Sequence, residues 1–426
     1  MRPFVVPPVP PIVESALRAV VIAIVSSFVV EMATGCGASD LPRELPGDAA
    51  AGSSLDAARA DGSPTDGSAD AASDSTSDAA VDAGMIDAGI ADASGLDAGP
   101  MPSFDDDWAL RETRVAQAWE RLARAGRGRG LGVVIAHADT GISRHPELLA
   151  HADLASPIAW ELGWDFVDGD ADPDHDFTAL NRIPPTHGHG TETASVIVSP
   201  PGCPVGAEPP CVTGVAPEAR LVPLRVSDSV VLLSGDLVAE GVERATTLDA
   251  DVISISMGGV GEMPRLQAAI ERALEQGIIV VAAAGNFTGR LVVQPSTFDG
   301  VVCVAGVTPE LEPWGRSARG SRVDISGPSV DVRHARTVET RGEREYLVGL
   351  ASGTSDATAM VAGAAALWLS LHGKEALVAR YGPAGVPRVF RELLRTRGYR
   401  ELPDWPTDRF GPGMLDVDAL LAAPLP

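Results

Sequence analysis

The chain has 426 residues, 45% of them apolar, and a formal net charge of −25. That length has room for two or three domains and a large core, and the acidic balance argues against nucleic acid as a partner. Four cysteines are too few for a disulfide-stapled mini-domain.

Residues 1–36 read as an export signal. Arg2 and Arg18 precede an apolar stretch over 19–30, a length that suits a signal-peptide core and falls short of a membrane span. The stretch ends in Ala33-Thr34-Gly35-Cys36, small residues before a cysteine that resemble a bacterial lipobox. There the thiol is acylated and the cysteine becomes the mature N-terminus, so Cys36 is the expected lipidation site and a membrane the expected partner. Plain secretion and an uncleaved anchor are the alternatives.

Residues 37–103 carry thirteen acids, two arginines and no aromatic residue. Asp56, Asp61, Asp66, Asp70, Asp74, Asp78, Asp82, Asp87, Asp92 and Asp97 recur every four or five positions among Ala, Gly and Ser. Such a segment buries too little apolar surface to offset its chain entropy. It reads as a disordered acidic linker, and it does not supply a folded inhibitory propeptide.

Residues 104–423 read as one α/β domain. Apolar runs over 132–138, 219–226, 250–257, 277–284 and 301–307 have the character of buried strands. Between them, 237–247 and 264–276 space apolar residues by three and four, as helices do. The alternation predicts a mostly parallel sheet with helices on both faces, and ligands in such sheets bind beyond the carboxyl ends of the strands. Asp139 stands there in Ala138-Asp139-Thr140-Gly141, and Asn286 in Ala284-Gly285-Asn286. His189 lies in Gly188-His189-Gly190-Thr191, and Ser355 in Gly353-Thr354-Ser355 ahead of a helix. Acyl transfer needs a nucleophile, a base, a carboxylate to hold that base and donors for the oxyanion. These four residues supply one of each, in the order Asp, His, Ser.

With these motifs, the chain resembles the subtilisin-like serine proteases over nearly all of 107–421. Further motifs are His145-Pro146-Glu147-Leu148, Ser254-Ile255-Ser256-Met257-Gly258-Gly259 and Phe410-Gly411-Pro412-Gly413-Met414. The resemblance implies a three-layer fold with a mostly parallel central sheet. It implies an exported serine endopeptidase acting on peptides or proteins, with Ser355 as nucleophile, His189 as base, Asp139 orienting it and Asn286 at the oxyanion. His187 is the rival base, but the family pattern places the catalytic histidine directly before Gly-Thr. The resemblance also puts substrate along Ser256, Met257 and Gly258, with Ala284 and Gly285 walling a pocket that Gly258, Gly259 and Gly285 leave roomy.

In residues 164–176, Asp165, Asp168, Asp170, Asp172 and Asp174 crowd together, and hard oxygen ligands at short spacing suit Ca2+. The loop resembles a calcium loop of the family, with Asp165, Asp168, Asp170 and Asp174 as expected ligands. Cys203 and Cys211 flank a Pro-rich insert, and export favours a disulfide between them. Cys303, inside an apolar run, reads as a buried free thiol. Asp356 departs from the family's usual Met after the serine, Glu192 from a second His, and Ala359-Met360 from Pro-His. A carboxylate beside the nucleophile opposes an oxyanion. That departure supports the rival reading, a catalytically silent peptide-binding protein on the same scaffold. Of the two methionines nearest the site, Met257 is expected to be the more open and Met360 to be buried.

Overall fold

The computed structural model describes residues 104–149, 155–177, 186–204, 206–207 and 209–426. The expected export signal, Cys36 and the acidic linker lie outside them.

Two short helices, α1 (Trp108–Glu112) and α2 (Val115–Arg124), lead into β1 (Val134–Asp139). The chain continues through β2 (Trp164–Asp165), α3 (His189–Val198), β3 (Arg220–Arg225), α4 (Asp236–Thr247) and β4 (Val252–Ile255). Next come α5 (Pro264–Glu275), β5 (Ile279–Ala283), β6 (Val302–Val307) and β7 (Ile325–Pro328). A hairpin of β8 (Val332–Thr340) and β9 (Glu343–Ala351) precedes α6 (Thr354–His372). The chain closes with α7 (Lys374–Tyr381), α8 (Gly385–Thr396), β10 (Tyr399–Arg400), α9 (Thr407–Phe410), β11 (Met414–Leu415) and α10 (Val417–Ala422).

Nine strands form one sheet in the order β10-β11-β7-β6-β5-β4-β1-β3-β2, and β8 and β9 pair with each other apart from it. Its pairs are parallel apart from the antiparallel β10–β11 edge. Each strand sends alternate side chains to opposite faces. Ile135, Val252, Ile279 and Val281 join one core with α2, α3 and α6, while Ala136, Ile253, Ile255, Val280 and Ala282 join the other with α4 and α5. The near-continuous apolar runs in the sequence follow from a sheet covered on both faces.

Helix α6 lies at the centre of the first core, and every residue from Thr354 to Ser370 is buried. Its small residues permit close approach: a methyl on Gly363 would meet Val215 Cβ at 2.6 Å. The hairpin turns through Arg341 and Gly342, both at positive φ, the backbone that a two-residue turn between twisted strands requires. β8 packs along α3. The strand ends at Asp139 and Ala283 and the N-termini of α3 and α6 thus come to the same edge of the sheet.

Candidate active site

Asp139 ends β1 and is fully buried. Its Oδ1 accepts from His189 Nδ1 at 2.7 Å and from the Thr140 amide at 2.7 Å. His189 opens α3, whose approach needs a residue without a side chain: a methyl on Gly190 would meet Gly141 O at 2.2 Å. Burial disfavours charge on both partners, yet their mutual attraction prevails. It holds Asp139 below the usual carboxylate range. On His189 burial is likewise outweighed by Asp139, with help from Glu192 and Asp356, and the imidazole is raised to about 9.

Ser355 is the second residue of α6, with only 8% of its surface exposed. Its Oγ donates to Ser256 O at 3.2 Å, and Ser256 Oγ donates to Ser355 O at 3.2 Å. Asn286 follows β5. Its Oδ1 accepts from Thr354 N at 3.0 Å and Thr354 Oγ1 at 2.9 Å, which fixes the amide and frees Nδ2 for another partner. A methyl built on Gly353 would stand 3.5 Å from Asn286 Nδ2 and 3.6 Å from Ser355 N. Two N–H donors therefore flank one small space beside the Ser355 hydroxyl, and the N-terminus of α6 adds its positive dipole end.

Asp356, next along α6, is 3% exposed. Burial first, then Glu192, pushes its carboxyl up to about 7, against the pull of His189. Above that pH it carries charge within reach of His189 and Glu192.

The substrate segment differs from expectation in three respects. Gly258 donates to Val230 O at 2.9 Å and accepts from Leu232 N at 2.9 Å, and Gly259 exchanges two hydrogen bonds of 3.0 Å with Gln294. The backbone edge at Gly258 is therefore paired with the protein's own 230–232 segment. The room expected from the glycines is filled by Val293: a methyl on Gly258 would meet Val293 Cγ2 at 2.4 Å, and one on Gly285 would meet Val293 Cγ1 at 3.0 Å. Met257 is as enclosed as Met360, at 2% and 0% exposure. The glycine at 258 makes way for Val293, and the close packing covers Met257. Ala284 is buried, and Gly285 N donates to Thr354 Oγ1 at 3.3 Å.

The four carboxylates expected around calcium do not gather at one point. Asp165 and Asp168 both pair with Arg225 Nη1, and Asp228 pairs with Nη2 at 2.5 Å. Asp174 reaches Arg344 at 2.6 Å, and Asp170 accepts from the Asp172 amide at 2.9 Å. A buried guanidinium thus stands where a metal was expected. Among the described residues no group of three or more His, Cys, Asp or Glu is arranged to hold a metal ion. This donor set does not fit calcium. Arg225 lies 49 residues beyond Asp176 in an apolar strand, so the acidic cluster taken by itself does not reveal it. Cys203 and Cys211 are joined as a disulfide, and Cys303 is a buried free thiol. Thr354, inside the serine motif, braces Asn286, and Thr193, one turn beyond His189, braces the Asp139–His189 pair; neither role is visible in the sequence.

The subtilase family model matches residues 130–397, and the chain belongs to that family of serine endopeptidases. It is 31% identical to thermitase of Thermoactinomyces vulgaris over 266 residues, 62% of this chain and 82% of thermitase. It is 36% identical to a thermostable alkaline protease of Halalkalibacterium halodurans over 239 residues, 56% of this chain and 57% of that protein. Among solved structures, a protease of Pseudoalteromonas arctica superposes with a TM-score of 0.60 at 27% identity, covering 75% of this chain and 98% of its own.

The space beside Gly353 gives a direct test. The backbone there is extended, with φ −170°, so alanine is tolerated. Gly353→Ala is expected to fold with an unchanged melting temperature and to lower kcat/KM by about 10²–10³, the cost of one lost oxyanion donor. Activity equal to wild type would show that the oxyanion lies elsewhere.

Proposed function

We propose that the chain is an exported serine endopeptidase in which Ser355 attacks, His189 transfers protons, Asp139 holds His189, and Asn286 Nδ2 with Ser355 N receives the oxyanion. The observation that carries this is the buried 2.7 Å contact between Asp139 and His189 at the edge where the first turn of α6 carries Ser355. Asp139 accepts from Nδ1, so the other ring nitrogen, Nε2, is the one left to act as base.

On substrate binding the Ser355 hydroxyl leaves Ser256 O for His189 Nε2. The Oγ forms a bond to the scissile carbonyl carbon as its proton passes to Nε2, and the carbonyl oxygen becomes an anion between the two donors. The carbon–nitrogen bond then breaks, and the departing amine takes the proton from Nε2. Water, deprotonated by the same nitrogen, attacks the acyl-enzyme and returns Ser355 to its hydroxyl. A peptide adding along Gly258 must part it from Val230 and Leu232.

The chain-level reading adds a signal over 1–36, acylation at Cys36 and an acidic linker over 37–103. It rests on the sequence, and among the described residues no helix is long and apolar enough to cross a membrane. Cys36→Ser is expected to move the mature protein from the membrane fraction to the soluble one; continued sedimentation with membranes would refute acylation at that residue. Calcium is left out of the reading because Arg225 already occupies the point where Asp165, Asp168 and Asp228 meet. Melting curves in calcium and in chelator are expected to coincide, and a chelator-induced fall abolished by Asp165→Asn would restore a metal there.

Ser355→Ala and His189→Ala are each expected to lose nearly all peptide hydrolysis, since triad members act as a unit, while His187→Ala keeps it. His189 must be neutral to accept a proton, so kcat/KM is expected to rise with pH through neutrality and level near pH 9. A plateau reached already below the ordinary imidazole pKa of 6.5 would contradict the charge arrangement around His189.

A further inference from the structure

The strand β1 places His137 two residues before Asp139, so both side chains leave the same face of the sheet, against α3. His137 is fully buried. Its Nε2 lies 3.2 Å from Gly190 O, 3.0 Å from Thr193 Oγ1 and 3.8 Å from Asp139 Oδ2. Thr193 sits one turn beyond His189, with its hydroxyl 3.0 Å from His189 O and 3.5 Å from Asp139 Oδ2. Both short hydrogen bonds to Asp139 fall on Oδ1. Oδ2, the second oxygen of a wholly buried carboxylate, faces the hydroxyl of Thr193 and the ring of His137.

The tautomer follows from the partners. Gly190 O can only accept, so Nε2 carries the proton, and Nδ1 is the bare nitrogen. Nδ1 is buried, with no hydrogen-bond partner among the described residues. A bare lone pair tolerates that better than an N–H would. Because the ring presents N–H to Thr193 Oγ1, the threonine proton points away from the ring, toward His189 O and Asp139 Oδ2. Burial keeps His137 neutral, outweighing the attraction of Asp139. An apolar residue would fill this place without burying an unpaired nitrogen, so the histidine incurs a desolvation cost that its polar contacts must offset.

We propose that His137 is a positioning residue for the proteolytic site, fixing Gly190 and the Thr193 hydroxyl so that Asp139 holds its carboxylate plane toward His189. The inference rests on the triad reading above and extends it one layer inward. The other ionisable groups around His189 are Asp139 on β1, Glu192 on α3, Asp356 on α6 and His334 on β8, the last 3.8 Å from Glu192. None of them takes over the contacts of His137 with Gly190 and Thr193.

The test compares His137→Val with His137→Gln, whose amide reaches Gly190 O as the imidazole N–H does. Rates are expressed per site titrated with a fluorophosphonate, so that unfolded protein is not counted. Valine is expected to lower kcat about tenfold to a hundredfold with KM nearly unchanged, the scale set by small displacements of catalytic groups. It is also expected to shift the acid limb of kcat/KM to lower pH, because a looser Asp139 supports the imidazolium less. Glutamine is expected to restore most of both. If valine does not fold, His137→Asn replaces it: the shorter amide does not reach Gly190 O and is expected to behave as valine would. Wild-type kcat and pH profile in the valine or asparagine variant, or glutamine no better than either, would overturn the proposal. Those results leave the triad reading standing, whereas full activity in Ser355→Ala would overturn the triad reading and this inference together.

Discussion

The burial of one negative charge sets the terms for the whole site. Asp139 has no access to water, and a carboxylate in that position is tolerated only with short, directed partners. His189 and the Thr140 amide supply them. To bring His189 there, α3 has to press against the turn after β1 closely enough that residue 190 carries no side chain. The sheet, in turn, has to end β1 at the same edge as β5 and α6. The linkage has a definite sign. His189 is raised above its ordinary 6.5 to about 9, so the stability gained from its pairing is complete below pH 6.5 and is lost as the pH rises through about 9. The same attraction that stabilises the fold keeps the proposed base protonated at neutral pH, so stability and turnover depend on pH in opposite directions.

A second theme is the use of local braces in place of exposed ligands. Thr354 holds Asn286, Ser256 holds Ser355, Arg225 holds three carboxylates, and Val293 fills the space beside Gly258 and Gly285. Each brace is a protein group standing where a substrate, a metal or a solvent molecule was an equally reasonable expectation. The guanidinium of Arg225 illustrates the energetics. Once desolvated, it is worth keeping only because it meets Asp165, Asp168 and Asp228 together, and their hydrogen bonds raise its affinity for its proton despite burial.

The fold was readable because a sheet covered on both faces writes itself as apolar runs, and five such runs became β1, β3, β4, β5 and β6 within about two residues at each end. The short strands β2, β10 and β11 were not readable, since two residues carry no periodicity. The motif residues Asp139, His189, Asn286 and Ser355 stood out because short polar sequences interrupt or follow apolar ones. What remained hidden was pairing across long separations. Nothing in the acidic loop announces that a strand arginine will pair with its carboxylates, and nothing in Ser256-Met257-Gly258 shows that the edge at Gly258 is already taken by residues 230–232. His137 lay in plain view inside an apolar strand, where a single polar residue is the signal of a burial that needs a reason.

The most direct measurement of the account is the rate at which a fluorophosphonate inactivates the protein as a function of pH, with the modified residue identified by peptide mapping. One adduct is expected, on Ser355, formed at a rate that rises with pH as His189 loses its proton and levels near pH 9. An adduct on another residue, no adduct at any pH, or a rate indifferent to pH across that range would show that the Asp139–His189 pair does not activate Ser355.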